Sequence, residues 1–224
     1  MKKILAIFLS ALLILCLAAC GGKTDPVAPD GGAADTGGAD ASQQTGGAEL
    51  SAWLKTKTGK YYSQFLDGKM YMEYEIEYAG TVTTVISATS GARTYSESMV
   101  NGQSVGVSIM DGEYLYSIDH ASKIVVKMSL KATGQEIART MIEEGDVDPA
   151  NMQSGTRTID GKTYDTEAWD MDGAKSVLCF DGDKLAYMIG EYGGEETVMK
   201  ILKTSDQVDE SLFDIPADYQ MISY

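Results

Sequence analysis

The chain has 224 residues, 18 Lys and Arg, 33 Asp and Glu, one His and three Cys. Its formal charge of −15 argues against nucleic acid as a partner, because a polyanion is repelled by such a surface. The lone His120 leaves almost no material for a zinc centre or a Ser-His-Asp engine, while 44% hydrophobic residues supply the core of one domain.

Met1-Lys2-Lys3 is a short positive start, and Ile4 to Ala19 follow without a charge. The run is short of the roughly 20 residues that a membrane span needs, and it fits the apolar region of a secretory signal. It ends in Leu17-Ala18-Ala19-Cys20, followed by Gly21-Gly22. This tetrad resembles the bacterial lipobox. The resemblance implies that residues 1–19 are removed and that Cys20 carries a covalent diacylglyceryl group, an anchor of two acyl chains on the outer face of a cell membrane. No other cofactor is expected. Cys16 would leave with the signal, so Cys179 would be the only internal thiol, with no disulfide to form. Its neighbours Val177, Leu178 and Phe180 mark it as a small buried apolar residue.

Residues 20–48 are rich in Gly and Ala, with Asp25, Asp30, Asp35 and Asp40 spread along them and Val27 as the one large aliphatic residue. Such a stretch buries nothing and reads as a disordered spacer of roughly 30 Å mean span. Residues 49–224 then form a single domain, which holds nearly all of the acidic residues.

Within the domain, turn dipeptides recur at Asp67-Gly68, Asn101-Gly102, Asp111-Gly112, Asp160-Gly161, Asp172-Gly173 and Asp181-Gly182. They accept the positive φ of tight hairpins. Between them, polarity alternates with period two. Met70, Met72, Tyr74, Ile76 and Tyr78 face one way, and Tyr71, Glu73, Glu75 and Glu77 the other. Val105, Val107 and Ile109 repeat the pattern, as do Tyr114, Tyr116 and Ile118, then Ile124, Val126 and Met128. Four more strands follow between Thr163 and Leu202. The fold class is mainly β with minor α: a large curved antiparallel meander or half-barrel of about ten or eleven strands. One or two helices cover it. Thr133 and Glu136 form a capping box for a helix ended by Gly145, and a shorter helical turn lies at Glu49–Lys57 with Leu50, Trp53 and Leu54 on one side.

A sheet of this kind on an exported chain resembles the lipoprotein-carrier (LolA/LolB-like) superfamily and its lipid-anchored relatives. The resemblance rests on Asp160-Gly161-Lys162-Thr163-Tyr164 with the hairpins after it, and on the closing segment Leu212-Phe213-Asp214-Ile215-Pro216-Ala217-Asp218-Tyr219. It implies a half-barrel whose concave side holds acyl chains. A tether at Cys20 departs from carriers that shuttle freely, and puts transfer between membranes in doubt.

Met70, Met72, Tyr74, Ile76, Tyr78, Tyr114, Tyr116 and Ile118 are the candidate concave, ligand-binding face. Unbranched Met side chains adapt to varied apolar shapes, and the chain has 12 of them. The same residues equally suit a packed core. Asp170-Met171-Asp172-Gly173 and Asp181-Gly182-Asp183 lack the further oxygen ligands of a calcium loop and read as hairpin turns, so no metal site is expected. Glu73, Glu75 and Glu77 read as a solvated ladder rather than a glycosidase pair. His120 reads as an exposed turn residue, and no Gly-x-Ser-x-Gly elbow occurs. Two functional readings follow. One is a membrane-anchored, non-catalytic domain that binds a lipid or other hydrophobic ligand. The other is an anchored protein-interaction or scaffolding domain without a cavity, whose protein partner the sequence does not identify.

Overall fold

The computed structural model describes residues 52–133, 148–171 and 174–224. The signal, Cys20, the spacer, all but the first residue of the capping-box helix and the Asp172-Gly173 turn lie outside the described residues.

Twelve strands form one open, curved sheet in the order β12-β6-β5-β4-β3-β2-β1-β11-β10-β9-β8-β7. The strands are β1 Lys69–Tyr78, β2 Thr81–Ser90, β3 Arg93–Val100, β4 Gln103–Met110, β5 Tyr114–Asp119, β6 Ile124–Ser129, β7 Gln153–Ile159, β8 Lys162–Met171, β9 Ala174–Asp181, β10 Lys184–Tyr192, β11 Glu195–Ser205 and β12 Gln220–Ser223. Thus two meanders, β1–β6 and β7–β11, join side by side through the β1–β11 pair. The count exceeds the expected ten or eleven, and β12 breaks the antiparallel pattern by pairing parallel with β6.

Turn chemistry explains the meander. Asn101-Gly102 and Asp160-Gly161 have positive φ at both residues, as a two-residue hairpin turn requires. Ala79-Gly80 and Gly193-Gly194 make equivalent turns that the Asp-Gly and Asn-Gly pattern did not mark. One strand assignment needs correcting at a single residue. The β3–β4 register shifts between Ser98 and Met99, so Val105 becomes the extra residue of a bulge and is 58% exposed, whereas Val107 and Ile109 are buried.

Register sorts the side chains into two faces. On one, Met70 and Met72 of β1 meet Trp169, Leu178, Phe180 and Leu185, and the segment 52–65 closes over them with Trp53, Tyr61, Tyr62 and Phe65. This is the α1 face, named for helix α1, Lys57–Tyr62. Ala52 and Trp53 are helical, within the helical turn expected at Glu49–Lys57, whose first residues lie outside the described residues; α1 is a further helical segment, and Trp53 is buried while Leu54 is 40% exposed. The other is the tail face. There Tyr71, Ala88, Tyr95, Ile109 and Tyr116 lie in one cross-strand row. Residues 206–219, the tail, run across this face and bury Phe213 against it, with Val208, Leu212, Ile215 and Tyr219 packed around. A third cluster, Tyr164, Ala168, Val177, Cys179, Tyr187 and Ile189, occupies the same face of the other meander. The expected wet face of β1 is therefore partly dry, since Tyr71 belongs to the core beneath the tail.

A short helix α2, Leu130–Thr133, follows β6.

Candidate functional site

The eight residues expected to line one surface lie on two. Met70, Met72, Tyr74, Ile76 and Tyr78 share the α1 face, whereas Tyr116 and Ile118 are buried on the tail face with Tyr114 packed against them. The register chain from Tyr71 through Ala88, Tyr95 and Ile109 to Tyr116 fixes this opposition.

Along β1 the α1 face passes from closed to open. Met70 and Met72 are buried, Tyr74 and Ile76 half-buried, and Tyr78 is 59% exposed. Across the β1–β11 and β10–β11 pairs, Ile76 sits beside Met199 and Met199 beside Met188, while Ile201 sits beside Tyr74. Tyr192, 65% exposed, ends β10 at the neighbouring hairpin. The result is a strip of apolar side chains that leaves the first cluster and reaches the hairpin tips. Met188, Met199 and Ile201 were absent from the expected set, although the period-two pattern of β10 and β11 contains them.

The closed end is held by polar contacts. Thr56 caps α1, its hydroxyl accepting the Gly59 N–H at 2.8 Å and donating to the Trp53 carbonyl at 2.7 Å. From β8, the carboxylate of Glu167 accepts the backbone N–H groups of Lys57 at 2.8 Å and Thr58 at 2.7 Å. A buried acid thus satisfies two donors at a helix N-terminus, where negative charge is also favoured by the peptide dipoles. Lys57 Nζ reaches Asp165 at 2.9 Å and the Gly182 carbonyl at 2.7 Å. The indole Nε1 of Trp169 and the hydroxyl of Thr58 are buried without a hydrogen-bond partner among the described residues. Each such orphan costs about 1–3 kcal/mol. Burial pushes the Tyr61 and Tyr62 hydroxyls well above the ordinary tyrosine range.

On the tail face the acids serve the tyrosines. Tyr95 donates to Glu97 at 2.8 Å and Tyr116 to Asp111 at 3.0 Å. Burial first, then the Asp111 hydrogen bond, pushes Tyr116 up to about 12. Glu75 sits 3.3 Å from Lys200. The Cys179 thiol is buried and pushed up by desolvation, which outweighs the pull of Arg157, so little of the reactive thiolate forms. His120 lies in an exposed turn with Nδ1 2.8 Å from the Tyr219 hydroxyl. Among the described residues no group of three or more His, Cys, Asp or Glu is placed to hold a metal ion.

A surface concavity of about 380 Å³ lies away from the apolar strip, on the tail face of β7–β10. Arg157 and Lys175 flank it with Glu191, and Ala168 and Val177 form its floor. Arg157 is engaged by Glu196 at 2.7 and 2.8 Å.

No family model matches the chain, and no curated protein matches it. Among solved structures, an uncharacterized conserved protein from Thermus thermophilus is similar at 9% identity and TM-score 0.47, covering 81% of this chain and 100% of that one. MucB is similar at 12% identity and TM-score 0.40, over 77% of this chain and 65% of MucB. MucB in complex with MucA(peri) gives 11% identity and TM-score 0.36, over 77% and 61%.

Proposed function

We propose that this chain is a lipid-anchored, non-catalytic binding protein of the outer face of a bacterial membrane. Cys20 carries the diacylglyceryl anchor, residues 21–48 space the domain from the bilayer, and the α1 face receives an apolar, acyl-chain-like ligand along Tyr74, Ile76 and Tyr78. One observation carries the ligand reading. The apolar strip continues past the end of the closed cluster, with Tyr78 59% and Tyr192 65% exposed, and adaptable Met188 and Met199 lie between. Monomeric domains rarely leave such continuous apolar surface without a use.

A second reading, a protein-interaction domain without a ligand cavity, is favoured by the closed end, where Met70 and Met72 are only 3% and 6% exposed beneath aromatic side chains.

Mass spectrometry of lipids extracted from the purified native protein separates the two. The ligand reading expects a stoichiometric lipid beyond the covalent anchor, lost on Ile76→Asp with Tyr78→Asp. A lipid-free protein that captures a polypeptide through the same residues overturns it in favour of the second.

A further inference from the structure

We infer that the outer edge of β7 is a docking site for an extended segment of a partner protein, added to the sheet as a thirteenth strand. β7 is the terminal strand of the sheet, and its seven residues pair continuously with β8 without a bulge. Its outer edge has no strand beside it among the described residues. Exposed edges are normally blunted by proline, lysine, a bulge or short length. Gln153-Ser154-Gly155-Thr156-Arg157-Thr158-Ile159 has no proline, lysine or bulge, and its one charged residue, Arg157, is engaged by Glu196. The opposite edge strand, β12, is only four residues long.

The surroundings of β7 define what such a strand would carry. Side chains of an added strand alternate between the two faces. On the tail face they would meet the concavity just inside the edge, where Gly155 contributes no side chain and Ala168 and Val177 form an apolar floor. Aliphatic residues fit there. On the α1 face the nearest charged groups one strand inward are Asp165, opposite Thr156, and Glu167, opposite Ser154. Glu167 is occupied by α1, and Asp165 pairs with Lys57 Nζ at 2.9 Å through one oxygen, Oδ2, its side chain staying 57% exposed. Basic residues fit at its second oxygen, and the net charge of −15 favours them further. The occupant is therefore an extended segment alternating aliphatic and basic residues, bound by backbone hydrogen bonds for affinity and by this alternation for selectivity. A second copy of the chain is disfavoured by a charge of −15 on each molecule.

The test uses the full chain and two decapeptides, one alternating Lys and Val, the other Glu and Val, with hydrogen exchange as readout. The Lys–Val peptide is expected to slow exchange of outward-facing β7 amides roughly tenfold or more, and the Glu–Val peptide to leave them unchanged. Gly155→Pro and Thr156→Pro remove adjacent N–H groups, one of which points outward and breaks no bond to β8. The variant that retains the wild-type circular dichroism spectrum is expected to lose the protection. Absence of protection, protection by both peptides, or protection that survives this variant overturns the proposal. So does a concentration-dependent dimer in sedimentation that the same variant dissolves, which assigns the edge to a second copy.

Discussion

Gly59 illustrates how tightly one position can be constrained. A Cβ there would fall 2.0 Å from the Trp53 carbonyl oxygen, which already accepts the Thr56 hydroxyl. The backbone cannot yield without breaking the cap. Gly59→Ala should therefore destabilise by about 2–3 kcal/mol, read as a lowered urea midpoint, despite alanine's better helix propensity. Glu210 makes a different prediction. Hydrogen bonds from Lys69 at 2.7 Å and Ser90 at 3.0 Å, together with Arg93, pull its carboxyl down to about 2 from an ordinary 4.5. The folded value lies below the unfolded one, so the stabilisation is fully present above about pH 4.5 and is lost as pH falls toward 2. The urea midpoint of Glu210→Gln should lie below wild type at pH 7 and converge with it near pH 2. Neither role was legible in the sequence. Gly59 reads as an ordinary glycine near a helix, and Glu210 meets partners about 120 to 140 residues away in the chain.

Two short elements close the sheet's two faces. The segment 52–65 is fixed to β8 through Glu167, so Glu167→Ala leaves the Lys57 and Thr58 N–H groups without that acceptor. A loss of about 1–2 kcal/mol is expected. Both tryptophans of the chain, Trp53 and Trp169, lie in the cluster that opens, so a red shift of their emission should accompany it, smaller for Glu167→Gln. The tail is fixed by Phe213, buried in the second cluster with the Arg93 guanidinium 4.6 Å from its ring centroid. Phe213→Ala should cost about 3–4 kcal/mol in urea unfolding. Strand elements were the most legible. The alternation of Met70 to Tyr78 and the Asn101-Gly102 and Asp160-Gly161 turns are local signals, and they placed β1, β4 and β8 within a residue or two. Leu50, Trp53 and Leu54 marked the helical turn that ends in Ala52 and Trp53, but not α1, whose start is decided by Thr56 as cap and Glu167 as distant acceptor. β12 carries no strong signal at all. Gln220 to Ser223 is a strand because β6 offers it an edge.

At the scale of the molecule, the sheet is two meanders joined at β1 and β11. The face each residue occupies was the least legible property. Alternation within a strand says that Tyr114 and Tyr116 lie together, but not that they lie opposite to Met70 and Met72. That depends on cross-strand register, where one residue's slip exchanges the faces. The proposed anchor predicts a whole-molecule outcome. Cys20→Ser should move the protein from the membrane pellet to the soluble fraction and abolish incorporation of labelled palmitate, with the thermal midpoint of the domain unchanged.

The parallel pairing of β12 with β6 carries a consequence for biogenesis. About a hundred residues separate the two strands, and the whole second meander lies between them, so this closure has high contact order and forms late. As the chain emerges from its amino terminus, the first six strands appear with the lateral margin of β6 bare and their Tyr95–Tyr116 surface uncovered. Chaperones would find their substrate in that interval, and a nascent chain stalled before Phe213 would present a sticky half-molecule to its neighbours.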